Sequence, residues 1–255
     1  MAEGILTKFL LAIEMGAIPD QFHASAESSS HLPGPGSIIC PRWWAGGNCP
    51  PPSTVIVSHT NGMNDPVIRE ALHRKVLHDH WNTPDTLVID ELGICMGYAR
   101  VDVAVVNGSI HGYEIKSDQD SLVRLARQVE AYDATLDRIT LVTGECHLAK
   151  AMALIPEWWG IKVASEGPRG GVKFRDVRRA KKNPKINPRF VAEFLWADET
   201  MGILESIGAA EGLHRKSKPF LYDRLVELLR LDEIRDRVRS ALKSRADWRS
   251  DARRT

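Results

Sequence analysis

The chain has 255 residues, with 34 Lys and Arg against 33 Asp and Glu, a formal net charge of +1, 43% hydrophobic residues and 26% charged ones. Such a composition supports a globular core without disulfide staples and excludes a polycation, so any nucleic-acid contact must come from a local patch. The four cysteines, Cys40, Cys49, Cys95 and Cys146, form no CxxC pair, so reduced thiols are expected, rather than a zinc site of Cys40 and Cys49 with His31 and His59.

Residues 1–62 gather chain breakers: Ser28-Ser29-Ser30, Pro33-Gly34-Pro35-Gly36 and Pro50-Pro51-Pro52. They read as an irregular extension, with Met63 as an alternative natural start. The apolar stretch 5–18 is interrupted by Lys8 and Glu14, and no uncharged run reaches membrane-spanning length. Neither a signal peptide nor a membrane span is expected, which places the chain in the cytoplasm.

A helix is predicted over 66–80, with Pro66 in its first turn and Ile68, Leu72 and Leu77 along one side. A short strand over 86–90 leads into a turn-rich stretch holding Gly93 and Gly97. The run 101–106 is a second strand, Asn107-Gly108 a hairpin turn, and 110–116 a third strand. An amphipathic helix follows over 119–136, then a strand over 139–142 and a helix over 147–154. Residues 159–163 and 172–175 form a closing hairpin. Beyond Pro188 the pattern is helical: 190–207 stopped by Gly208, 219–230, and a third helix capped by Asp232 that runs to about 243. The expected fold is α/β, a mixed β-sheet core over 63–187 flanked by helices, with a helical C-terminal module over 188–255.

Chemistry concentrates on the hairpin. Glu114 and Lys116 are two residues apart on one strand, so both side chains leave the same face, while Ile115 points the other way. The Asn107-Gly108 turn folds this strand back so that Asp102 falls at the same end as Glu114. Two carboxylates suit Mg²⁺ or Mn²⁺, and a lysine beside them suits a water attacking a phosphodiester. Removing charges from such a cleft is expected to spare the fold.

Asp102, eleven residues, then Glu114-Ile115-Lys116 resembles the signature of the PD-(D/E)XK nuclease superfamily, and Gln128 and Tyr132 match its Gln-x-x-x-Tyr element. The likeness covers about residues 64–145 and is greatest to an uncharacterised bacterial and phage-associated branch, in which the Trp158-Trp159-Gly160 segment also recurs. Val101 stands where many members have Pro. The resemblance implies a restriction-endonuclease-like core and Mg²⁺-dependent DNA hydrolysis, with Asp102 and Glu114 as metal ligands. It also implies a helper role for Lys116, a site that includes Gln128 and Tyr132, and a further acid from Glu91 or Glu70. A homodimer is a further expectation.

Arg169, Lys173, Arg175, Arg178, Arg179, Lys181, Lys182, Lys185 and Arg189 place nine cations within 21 residues, with Asp176 the only acid among them. The first eight are the candidate phosphate contacts, and DNA is the expected partner. Arg235, Arg239 and Lys243 form a second stripe, read as a solvated helix face. The competing reading is a catalytically inactive nucleic-acid-binding module or regulator linked to phage or mobile elements.

Overall fold

A computed structural model describes residues 63–245; the expectations placed on residues 1–62, including the cluster around Cys40 and Cys49, lie outside them. The first helix, α1 (Asp65–Lys75), starts where the Asn64 side chain accepts the Val67 N–H, with Pro66 in the first turn, and buries Ile68, Ala71 and Leu72. A short α2 (His78–Asn82) follows, so the single helix expected over 66–80 is two.

Six strands make one sheet in chain order: β1 (Leu87–Ile94), β2 (Ala99–Val106), β3 (Ile110–Lys116), β4 (Arg138–Gly144), β5 (Gly160–Glu166) and β6 (Val172–Arg178). The pairs β1–β2, β2–β3 and β5–β6 are antiparallel, whereas β3–β4 and β4–β5 are parallel. Each parallel link crosses over through a helix, α3 (Leu125–Thr135) and α4 (Leu148–Leu154), as parallel pairing requires. One face of the sheet closes over α1 through a core that includes Ile68, Leu72, Leu77, Val103, Val105 and Ile115. The mixed sheet with flanking helices is the predicted fold class.

Helix α3 starts at Leu125, not near residue 119. The Asp120 carboxylate accepts both the Ser117 N–H (2.7 Å) and the Ser117 hydroxyl (2.6 Å), closing a local turn that competes with helix.

The C-terminal helices are α5 (Pro188–Ala192), α6 (Ala197–Ser206), α7 (Lys218–Leu228) and α8 (Leu231–Ser244), and they belong to the same compact unit as the sheet. The single helix expected over 190–207 is broken because Trp196 is extended and its N–H is taken by Glu199 at 2.7 Å, which starts a new helix. Gly208, at φ +71°, ends it as expected. The Arg235–Arg239–Lys243 stripe is no free face: Arg235 pairs with Asp137 (2.9 Å), Arg239 with Asp236, and Lys243 with Asp85 (2.7 Å). Among the described residues, no helix is long and apolar enough to cross a membrane.

Candidate functional site: a neutralised carboxylate cluster and a basic strip

The site forms where β2 and β3 part. Their pairing ends at Val103 and Tyr113. Beyond it the Asp102 carboxylate bridges the gap, accepting the Ile115 N–H at 2.6 Å. Glu114 and Lys116 emerge beside it, and Asp102, Glu114, Lys116, Glu91 and Gln128 line one cleft of about 520 Å³. The hairpin parity thus brings the predicted carboxylates and lysine together.

Each of these carboxylates is met by the protein's own donors. Glu114, 1% exposed, takes Lys116 Nζ and Gln128 Nε2 (2.6 Å) on Oε1, and the Tyr132 hydroxyl (2.5 Å) on Oε2. The Arg100 carbonyl also lies within reach of that single phenolic hydrogen, at 2.7 Å. On Asp102 the second oxygen faces Arg69 Nη2 at 3.2 Å, and Arg69 Nη1 donates to the Asp102 carbonyl at 2.7 Å. The same guanidinium pairs with Glu91 (2.9 Å) and Asp65 (3.2 Å). Arg69 is therefore the hub of the cluster, and sequence reasoning missed it; its only local signal is the i, i+4 pair with Asp65. Glu70 does not line the cleft. It is exposed on α1 and, among the described residues, pairs with Arg74 at 3.7 Å.

Electrostatics follow from burial. The Asp102 carboxyl is pushed up to about 7 by desolvation and then by the Glu114 charge, against the pull of Ile115 N–H and Arg69. Burial and Glu114 also raise the Tyr132 phenol, keeping it a neutral donor. Desolvation works against the charge on Arg69, but Asp102, Asp65 and Glu91 outweigh it and hold the guanidinium protonated more firmly than usual.

Magnesium takes one or two carboxylates and completes a near-octahedral array with waters and substrate oxygens. Here both oxygens of Asp102 and of Glu114 already accept hydrogen bonds from protein groups, and among the described residues no three His, Cys, Asp or Glu side chains are placed to hold a metal ion. The two carboxylates expected to hold Mg²⁺ or Mn²⁺ are therefore engaged by protein donors in this arrangement.

Around the cleft stand two further cations the sequence reading passed over, Arg124 and Arg127, the latter 3.9 Å above the Tyr98 ring. Trp158 and Trp159 are buried and Trp159 donates to Asp133 at 3.1 Å, so neither is a base-stacking platform. His111 bonds Thr140 at 2.9 Å and stacks on Tyr113; burial lowers its pKa to about 4 and keeps it neutral.

The basic strip divides in two. Arg175 pairs with Glu145 (2.9 Å), and Arg178 donates to the carbonyls of Trp159 (2.6 Å) and Pro156 (2.9 Å), a structural tie. Arg189, outside the eight candidates, is held by Glu193 and Asp223. Arg169, Lys173, Arg179, Lys181, Lys182 and Lys185 are exposed and form no ion pair among the described residues.

Residues 59–253 match the family described as Bacteriophage P4 protein cII. The chain belongs to the phage P4 protein cII family. Protein cII of Enterobacteria phage P4 is 26% identical over 163 residues, a match spanning 63% of this chain and 60% of that relative. No solved structure matches.

Membership in the cII family corrects the expected activity. Neither the family nor the phage relative is named as a nuclease, a hydrolase or any other enzyme, and neither description mentions the PD-(D/E)XK superfamily. The reading as a Mg²⁺-dependent phosphodiesterase is withdrawn, together with magnesium and restriction-endonuclease descriptions of the cII-family chain. Its phage association stands.

Proposed function

We propose that this cII-family protein is a non-enzymatic nucleic-acid-binding regulator of phage or mobile-element biology, and that it holds the phosphate backbone on its basic strip. The observation that carries this reading is the set of six exposed cations at Arg169, Lys173, Arg179, Lys181, Lys182 and Lys185 that form no ion pair among the described residues, in a chain whose net charge is only +1. Cations crowded on one segment repel each other, and a polyanion relieves that repulsion while releasing its own counterions. In this reading the Asp102–Glu114–Lys116 cluster is an internally neutralised support beneath the sheet's diverging strands. Membership of a phage family supports a role in phage biology.

The test is duplex binding as a function of salt. Each phosphate contact contributes about 0.9 to the slope of log K against log salt. Arg179→Glu, Lys181→Glu and Lys182→Glu together are expected to lower the slope magnitude by about 3 and to weaken all duplex sequences alike. Arg178 is left alone because it ties Trp159. An unchanged slope in a variant with native circular dichroism would sink the assignment.

A further inference from the structure

A cleft of about 600 Å³ lies on the other side of Glu91 from the carboxylate cluster, sharing that residue with it, and none of the basic strip lines it. Six successive residues of β1, 88–93, line it, together with Trp81, Met96, Glu193, Phe194, Trp196 and Lys218. Successive strand residues point to opposite faces on either side of a kink at Glu91 (φ +57°), so a cleft touching all six runs along the strand's edge. β1 is an edge strand with β2 as its only sheet neighbour, and among the described residues no backbone hydrogen bond from outside the sheet reaches 87–94. Its outer N–H and C=O row is a template for another strand. Trp81, Trp196 and Met96, at 40%, 45% and 49% exposure, give the walls apolar surface that the fold leaves uncovered.

Charge selects the occupant. Asp90 and Glu91 sit side by side at the middle of β1, with half-exposed side chains. Both are met within the chain, Asp90 by His73 (2.9 Å) and Glu91 by Arg69 (2.9 Å) and Arg100 (3.4 Å), so the acid that selects the occupant is Glu193. Its side chain is 3% exposed; Oε1 is taken by Arg189, while Oε2 has no partner among the described residues. A buried acceptor without a donor is costly until a donor arrives. Of the two cations lining the cleft, Arg245 is held by Glu199 at 2.6 Å, leaving Lys218.

We propose that this cleft is a strand-addition site for an extended segment of a partner protein, with the added strand pairing along β1 and a lysine or arginine of it reaching Glu193. Main-chain bonds supply affinity in such sites and alternate side-chain pockets supply selectivity. The proposal is independent of nucleic-acid binding by the basic strip.

The probe is a fluorescein-labelled peptide of alternating Val and Thr with one central Lys, read by anisotropy against the full-length chain. Saturable binding is expected. A central Glu in place of Lys should weaken it about tenfold, roughly 1.4 kcal/mol, and N-methylation of alternate peptide amides by at least as much. Glu193→Gln should erase the Lys-over-Glu preference while keeping the N-methyl penalty, a pattern that misfolding would not produce. Equal binding of the N-methylated peptide, or no saturable binding by any peptide, overturns the proposal. Self-association of the chain that the peptide disperses assigns the edge to a second copy, and displacement of the peptide by duplex DNA assigns it to nucleic acid; either outcome overturns it as well.

Discussion

Lys116 illustrates how far a residue's role depends on what surrounds it. On an open cleft wall its removal would be nearly neutral, which is the expectation its strand position suggests. In the structure Lys116 is 6% exposed and its ammonium is bound to a still more deeply buried Glu114. Breaking a buried pair leaves one charge without compensation. Lys116→Ala is therefore expected to cost about 3 kcal/mol in urea unfolding, the low end of the usual range because Gln128 and Tyr132 still donate to Glu114. A loss below about 1 kcal/mol would show that the pair is not a structural element. Asp102 works in the other direction. Its carboxyl rises from 3.8 to about 7 on folding. Between those values the folded state keeps a proton that the unfolded state releases, so this group's contribution falls as pH climbs from about 4 to 7 and is a full penalty above. At 1.36 kcal/mol per unit that penalty has an upper bound of about 4 kcal/mol. Asp102→Asn should match the parent near pH 4 and exceed it in stability at pH 8. Equal stabilities at both pH values would mean the carboxylate is not strained by burial.

Elements show which features a sequence displays. The hairpin was legible because Asn107-Gly108 and strict alternation leave few other conformations, and the same alternation put Glu114 and Lys116 on one face. Gln128 and Tyr132, one helical turn apart, could be placed beside them for the same kind of reason. Arg69 could not, since it meets Asp102 across 33 positions and no local periodicity records such a contact. The break before α6 was hidden because Phe190 to Ile207 keeps a helical pattern through a cap that only Glu199 reveals. Boundaries set by one side chain capturing a backbone N–H, as at Asp120 and Glu199, are where pattern reading fails. Gly160 carries a related message at the start of β5. A Cβ there would lie 2.8 Å from the Ala180 nitrogen, in the backbone that leads into Lys181 and Lys182. Gly160→Ala must push this segment outward, against the bond from Lys181 N–H to the Trp158 carbonyl (2.8 Å). The expected loss is about 1–3 kcal/mol, with weaker duplex binding as the basic strip shifts. If both stability and binding are unchanged, the strip is not anchored through this contact.

At the scale of the whole molecule, cations and carboxylates nearly balance, yet they are deployed unequally. Carboxylates in the cluster are consumed inside the fold by Arg69, Lys116, Gln128 and Tyr132, whereas Arg169, Lys173, Arg179, Lys181, Lys182 and Lys185 keep their charges outward. A divalent cation entering the cluster would have to displace Lys116 from Glu114 and Arg69 from Asp102, exchanging bonds already made for new ones. Any ligand that binds only the folded state raises its stability, by about 2.7 kcal/mol at a hundredfold excess over its Kd. For a domain of this size each kcal/mol moves the unfolding midpoint by about 2–4 °C, so a resident magnesium site would announce itself as a rise of about 5–10 °C. The expected outcome is the same midpoint in millimolar MgCl₂ and in EDTA at matched ionic strength. A rise of that size in MgCl₂, abolished by Glu114→Gln, would show that the cluster opens to take a metal and would overturn its reading as an internally neutralised support.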